Sequence, residues 1–130
     1  MLEPIALLAT ATLFGGMLLY SFGFAPFVFT SLPAEDAGRL IRRAFPHYYA
    51  FVILASGLAT LLVLAVDPLS AGLLAASAAL GIWARQGLMP AINAARDAGE
   101  KSKFGRLHGL SVVINFIQLG AIGFALVRFL

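Results

Sequence analysis

The chain has 130 residues, of which 61% are hydrophobic and only 12% charged, and its formal net charge is +3. An average soluble domain has roughly 25% charged residues, so a soluble fold of this size could not bury so much apolar surface, and a lipid bilayer is the expected solvent. No cysteine is present, which excludes disulfides, thiolate nucleophiles and Cys-ligated metal centres. The small net charge is confined to loops and does not indicate a nucleic-acid partner.

Charged residues divide the chain into four apolar segments. Each approaches or exceeds the ~20 residues that a helix needs to cross a hydrocarbon core of ~30 Å. No alternation with a period of two is sustained, which favours helices over strands. The sequence therefore predicts an all-α fold in a single domain, 1–130. We expect an integral membrane four-helix bundle with spans at about 4–29, 47–66, 69–93 and 107–129.

The faces of the first two spans are predicted from their polar and small residues. In span one, Tyr20 needs a partner for its hydroxyl and lies on a face of mostly small residues, which favour close helix packing. In span two, Tyr49 lies on a polar face nearly opposite His47, so His47 is expected at the membrane interface. The two predicted inward faces are Thr12, Gly16, Tyr20, Gly23, Phe27 and Thr30 in span one, and Tyr49, Ser56 and Thr60 in span two.

A basic segment separates these two spans. Ser31 is a plausible N-cap, and acidic residues precede basic ones along the segment, as the helix dipole prefers. The sequence predicts a short helix on the membrane surface that ends at Pro46, with a solvated connector as the alternative.

Basic residues also predict the orientation. The loops after spans one and three share one side of the membrane, and that side carries seven basic residues: Arg39, Arg42, Arg43, Arg96, Lys101, Lys103 and Arg106. The opposite side has only Arg128, together with Glu3 and Asp67. The positive-inside rule therefore predicts cytoplasmic loops and extracytoplasmic N and C termini. We expect a multi-pass protein of the bacterial inner (plasma) membrane.

Span four has its strongly polar residues on one stripe. Between Arg106 and Arg128 lie 21 residues without a formal charge, and the polar members His108, Ser111, Asn115 and Gln118 fall within an arc of about 80°. Polar side chains are costly in hydrocarbon, so this stripe is expected to face protein or a water-filled cavity.

Arg85 in span three lies roughly 10 Å deep, at about the depth of Asn115. Its guanidinium either faces inward or reaches the headgroups, and we favour the inward orientation. The sequence then predicts one polar pocket in the cytoplasmic half of the bundle. Its ligand-binding residues are Tyr20, Tyr49, Arg85, His108, Ser111 and Asn115, with Gln118 near the midplane.

No Asp or Glu lies at that depth, which disfavours paired-carboxylate catalysis, a hard-cation site and a hydrolase; no metal site is predicted. The predicted pocket fits a small polar or anionic ligand, a quinone, or a porphyrin with its propionates. A haem held by two histidines would need His47 to face His108, contrary to the expected orientation of His47.

Three motifs resemble the transmembrane-protein-205-like family, a four-helix membrane domain of unknown function. They are Phe45-Pro46-His47-Tyr48-Tyr49, Arg85 with Met89-Pro90, and the most specific one, Phe-x-x-Leu-His-x-x-Ser-x-x-x-Asn at 104–115. The resemblance spans nearly the whole chain, and it implies the fold more than any activity.

Three functional hypotheses remain. The favoured one is a non-enzymatic membrane protein that binds or transports a small molecule or ion through the polar pocket, without a cofactor. The second is a haem- or quinone-linked membrane redox enzyme, and the third is a structural subunit of a membrane complex. A homo-oligomer is plausible, because four helices leave little room for a complete transport pathway.

Overall fold

A computed structural model describes residues 1–130 and contains four long helices and no strand. The helices are α1 (Leu2–Ser31), α2 (Ala34–Val63), α3 (68–97) and α4 (Lys101–Val127). The predicted all-α class is confirmed. Three of the helices, α1, α2 and α4, are long enough and apolar enough to cross a membrane, which indicates an integral membrane protein.

Helices α1 and α3 each contain a π-helical segment two residues before a proline. In α1 the segment Leu19–Phe24 precedes Pro26, and in α3 the segment Ala84–Leu88 precedes Pro90. Proline cannot donate to the preceding turn, and a widened turn accommodates the missing bond. Both helices therefore continue past their proline instead of ending there.

The predicted break at Pro46 is wrong, because α2 runs without interruption from Ala34 to Val63. Ser31 is likewise the last residue of α1 and not an N-cap. The first turns of α2 bury Ala37 and Ile41 against Val28 of α1. This burial stabilises the helical conformation on the N-terminal side of Pro46, although proline removes one backbone hydrogen bond there.

The predicted inward face of α1 is also incorrect in part. Thr12, Phe27 and Thr30 are exposed, whereas the residues buried in the first half of the helix are Ala6, Thr10, Leu13 and Met17. The buried Thr10 hydroxyl donates to the Ala6 carbonyl of its own helix at 2.8 Å, so this polar side chain can pack inside the bundle beside Leu13 and Met17. Beyond residue 18 the π-helical segment changes the helical phase, so a uniform 100° per residue no longer gives the correct face.

Two ion pairs tie the helices together at opposite ends of the bundle. At one end Arg42 of α2 binds Asp97 of α3 at 2.7 Å, and this pairing lowers the pKa of the Asp97 carboxyl. At the other end Arg128 binds Asp67, which also accepts from the Leu69 amide and so caps α3. Hydrogen bonds from Arg128, and secondarily from Ser70, hold the pKa of Asp67 well below its ordinary value.

The core lies between all four helices, with α2 packed between α1 and α3 and α4 packed against α1 and α3. Helix α4 is joined to α3 by Gln118, whose side-chain amide donates to the Ser77 carbonyl at 2.8 Å. The first half of α1, Leu2–Leu18, packs against both α2 and α4, whereas its last turns, Ala25–Ser31, make their contacts with α2. A gap therefore opens between the second half of α1 and the first half of α4.

Candidate functional site

The gap between α1 and α4 is a cavity of about 380 Å³. Small-molecule sites have volumes of roughly 300–1,000 Å³, so this one is large enough for a small ligand or for the head group of a longer one. Ten of its fifteen lining residues are hydrophobic, so most of a bound molecule would contact apolar walls. The lining comprises Tyr20, Ser21, Phe22, Ala25, Pro26, Phe29, Ile41, Phe45, Tyr48, Tyr49, His108, Ser111, Val112, Asn115 and Phe116.

Aromatic residues mark the edge of the cavity on the outer surface of the bundle. Phe22 of α1 and Phe116 of α4 have ring centroids 5.9 Å apart, and 56% and 54% of these residues, respectively, are exposed. In a bilayer this surface contacts lipid tails. The pair therefore forms an aromatic contact between α1 and α4 at the outer edge of the cavity.

A hydrogen-bonded network of three side chains forms the polar part of the wall. The Tyr48 hydroxyl donates to Asn115 Oδ1 at 2.6 Å, and Asn115 Nδ2 donates to Ser21 Oγ at 3.0 Å. Ser21 Oγ also lies 3.5 Å from the Tyr48 hydroxyl oxygen. One residue comes from each of α1, α2 and α4, so the network joins the three helices that surround the cavity.

Tyr20 lies beside this network but does not take part in it. Its ring stacks on that of Tyr48, with centroids 4.0 Å apart and planes 15° from parallel. Its hydroxyl oxygen is buried and has no hydrogen-bond partner. The stacked pair separates the cavity from a shallow groove on the α1–α2 surface, which Tyr20 and Tyr48 also line together with His47.

His108 and Ser111 line the cavity from the first turns of α4. The Ser111 hydroxyl donates to the His108 carbonyl at 2.6 Å, so its proton is already bound within its own helix. His108 is exposed, and its ring stacks on Phe104 at 5.8 Å. Its imidazole nitrogens have no hydrogen-bond partner in the chain and are available to a ligand.

The structure brings five of the seven predicted site residues to this cavity: Tyr20, Tyr49, His108, Ser111 and Asn115. Arg85 does not line it, because Arg85 Nε donates to the Pro46 carbonyl at 3.2 Å and is held against α2. Gln118 does not line it either, since its amide is bound to the Ser77 carbonyl of α3. The predicted pocket thus divides into a cavity without Arg85 and an interhelical contact at Gln118.

Sequence analysis missed Ser21 and Tyr48. Tyr48 is buried beside Tyr49, with 6% of each residue exposed. Both tyrosines therefore face inward, whereas the prediction placed only Tyr49 on the inward face. Ser21 lies inside the π-helical segment of α1, where the helical phase departs from 100° per residue. The useful signal was the proline at position 26, which indicates a local irregularity in the preceding turn.

The predicted orientation of His47 agrees with the structure. His47 is exposed and lines the groove, whereas His108 lines the cavity. The two histidines therefore line different cavities of the surface, and they do not face each other as a haem with two histidine ligands would require. The cavity lining contains no Lys, Arg, Asp or Glu, and no cluster of three His, Asp or Glu residues could hold a metal ion.

A family model described as "Domain of unknown function (DUF4149)" matches residues 8–101 of the chain. The matched range covers α1 from residue 8 onwards and all of α2 and α3, and it includes Tyr20, Ser21 and Tyr48 of the cavity. It ends before the specific motif at 104–115, and its description does not mention the transmembrane-protein-205-like family. No curated protein and no solved structure matches the chain.

Proposed function

The chain belongs to this family of unknown function, and we propose from the geometry of the cavity that it is an integral membrane protein that binds a small amphipathic molecule. The bound molecule occupies the space between α1, α2 and α4, with its apolar part against the phenylalanines and its polar part at the Tyr48–Asn115–Ser21 network. Transport of that molecule across or along the membrane is the favoured use of such a site, and no catalytic step is assigned to it.

The observation that supports this proposal is the combination of an apolar wall with a single polar end inside one cavity. Ligand sites are mostly apolar, with a few placed polar groups that orient the ligand. Here the polar groups are uncharged amides and hydroxyls, apart from His108 at the margin. Because the lining contains no Lys or Arg, the cavity favours a neutral head group over the anionic one that was expected beside Arg85.

We also propose that the cavity opens in the cytoplasmic half of the membrane. The cavity lies at the end of the bundle that has the α1–α2 and α3–α4 loops, and seven of the nine Lys and Arg residues are at that end. On the positive-inside rule we place this end in the cytoplasm and both termini outside. This proposal takes α3 as a fourth span and a bacterial inner membrane as the location. Arg85 then lies within reach of the cytoplasmic headgroups.

A purely structural role for the polar stripe is the second candidate, and Gln118 favours it. Its side chain, with 2% of the residue exposed, bonds a carbonyl of the neighbouring helix and does not line the cavity between α1 and α4. In a membrane, such bonds hold helices together. A structural role would explain Asn115 as well, but it does not explain why a cavity of about 380 Å³ remains beside that residue.

The proposal is tested by filling the cavity. Val112 lines the cavity, whereas its neighbour Val113 does not and is 53% exposed. Val112→Trp should occupy ligand space, and Val113→Trp adds the same side chain on the lipid-facing surface as the matched control. We would measure equilibrium binding of two neutral amphipathic probes, decylubiquinone and decylbenzene, to each protein in lipid nanodiscs.

The expected result is saturable binding of at least one probe to wild type and Val113→Trp, and at least about tenfold weaker binding to Val112→Trp, which corresponds to about 1.4 kcal/mol. Equal binding to Val112→Trp and wild type would show that the cavity is not the site. Absence of saturable binding of both probes to the folded wild type would contradict a site for neutral amphipathic molecules.

A further inference from the structure

The Tyr20 hydroxyl is buried beside the cavity, and the protein provides no hydrogen-bond partner for it. Leaving a buried hydroxyl unpaired costs free energy, so an orphan of this kind in a native structure calls for an explanation. Within a bilayer, water is scarce, and a bound ligand is the natural partner.

The hydrogen bonds that the neighbouring side chains already make indicate what kind of partner the Tyr20 hydroxyl needs. The Tyr48 proton is donated to Asn115, and one Asn115 amide proton is donated to Ser21. The protons that remain without an acceptor include those of the Tyr20 and Tyr49 hydroxyls, the second Asn115 amide proton, and the Ser21 hydroxyl proton, whose nearest acceptor is at the 3.5 Å limit. This end of the cavity thus has unused donors, and an acceptor on the ligand would satisfy them.

We propose, building on the cavity as the binding site, that the ligand presents an uncharged oxygen acceptor, such as a ketone, quinone or ester carbonyl, to the Tyr20 hydroxyl. An anionic carboxylate or phosphate head is disfavoured, because no Lys or Arg lines the cavity to compensate its charge. A cationic head is disfavoured for the same reason, since the lining contains no Asp or Glu. The Tyr20–Tyr48 stack holds the phenol in a fixed orientation, which reduces the entropy lost on binding.

The test compares two tyrosines of the cavity wall, one whose hydroxyl has no hydrogen-bond partner in the protein and one whose hydroxyl has such a partner. Tyr20→Phe removes an unpartnered hydroxyl, whereas Tyr48→Phe removes one that is bonded to Asn115. For wild type and Tyr20→Phe we would measure the affinities of decylubiquinone, which has carbonyl acceptors, and decylbenzene, which has none. Thermal unfolding of wild type and both variants in the same nanodiscs serves as the stability measurement.

We expect wild type to prefer decylubiquinone, and Tyr20→Phe to bind it about five- to tenfold more weakly with no change for decylbenzene. Tyr20→Phe should unfold at or above the wild-type temperature, because it removes an unsatisfied buried group, whereas Tyr48→Phe should unfold at a lower one. Loss of stability in Tyr20→Phe would show that the hydroxyl has a protein partner and would overturn the inference.

The outcomes separate this inference from the proposed function. If Val112→Trp abolishes binding of both probes while wild type binds them equally, the cavity is the site and the proposed head-group recognition is wrong. If decylubiquinone binding depends on Tyr20 but not on Val112, the ligand lies in the groove beside His47 and both proposals fail. Stronger binding of decanoate than of decylubiquinone would overturn the uncharged head group.

Discussion

The Tyr48 hydroxyl lies 2.6 Å from Asn115 Oδ1, although 67 positions separate the two residues in the chain. This bond crosses from α2 to α4, and the Asn115 amide extends it to Ser21 on α1. The α1 and α4 segments on either side of the cavity are therefore connected by hydrogen bonds at the polar end of the cavity and by the Phe22–Phe116 ring contact at its outer edge. The Tyr48–Asn115 contact stabilises the bundle and defines the cavity.

Tyr48→Phe should destabilise the bundle. Interhelical hydrogen bonds in membrane proteins contribute about 0.6 kcal/mol on average and up to about 1.7 kcal/mol, and the short Tyr48–Asn115 bond should lie in the upper part of that range. The measurement is reversible unfolding in mixed micelles. Thr30→Val is the control, since its exposed hydroxyl donates only to carbonyls of its own helix. Equal stability of Tyr48→Phe and wild type would mean that the network does not hold α2 to α4.

Gly15 and Gly16 should respond oppositely to alanine. A Cβ at Gly16 would lie 2.5 Å from Phe51 Cζ, whereas a Cβ at Gly15 meets nothing within 4 Å. Gly16→Ala must displace the Phe51 ring and should cost about 1–3 kcal/mol. Gly15→Ala should be neutral or stabilising by up to about 1 kcal/mol, because alanine favours helix. Melting temperatures of the two variants in one detergent provide the comparison, and similar values for both would contradict the α1–α2 packing.

The Asp67 carboxylate should make stability depend on pH. Its folded-state pKa is lowered by Arg128 and Ser70, so the unfolded chain binds the proton more tightly. The stabilisation is complete above the unfolded pKa of about 3.9 and is lost as pH falls from there towards the folded value. Asp67→Asn should therefore be less stable than wild type at pH 7, and the difference should shrink below about pH 4.

Glu3→Gln is the control for this pH dependence, because Glu3 lies beside the same end of the bundle but forms no ion pair. Its stability should follow that of wild type across the whole pH range. A difference between Asp67→Asn and wild type that stayed constant down to pH 2 would show that the charge of Asp67 is not what stabilises this end of the bundle.

The proposed topology can be tested without removing any native thiol, since the chain contains no cysteine. Ser102→Cys, in the first turn of α4, should react only with reagents that reach the cytoplasm. Leu130→Cys, past the end of α4, should react with a membrane-impermeant maleimide added outside the cells. Labelling of Ser102→Cys from outside, with none of Leu130→Cys, would reverse the orientation.

The sequence by itself determined the all-α fold class and the presence of four long helices. The physical reason is that these properties depend on local composition: 61% hydrophobic residues and widely spaced charges leave helices as the stable form in lipid. Helix α4 is regular from Lys101 to Val127 and preserves the phase on which the prediction of its polar stripe relied, although Gln118 contacts α3 and does not line the cavity. His108, Ser111 and Asn115 accordingly line one cavity.

Only the tertiary structure decided which other residues meet that stripe. The π-helical segments around Tyr20 and Arg85 change the helical phase within their helices, and no periodic pattern records such a change. Pro46 was read as a break, but burial of Ala37 and Ile41 against α1 keeps α2 helical on its N-terminal side. Arg85 was assigned to the cavity from its depth and from the small residues on its helix face, whereas the direction of its side chain depends on the Pro46 carbonyl of a neighbouring helix. Depth follows from counting residues along one helix, but the partner of a side chain depends on how separate helices pack.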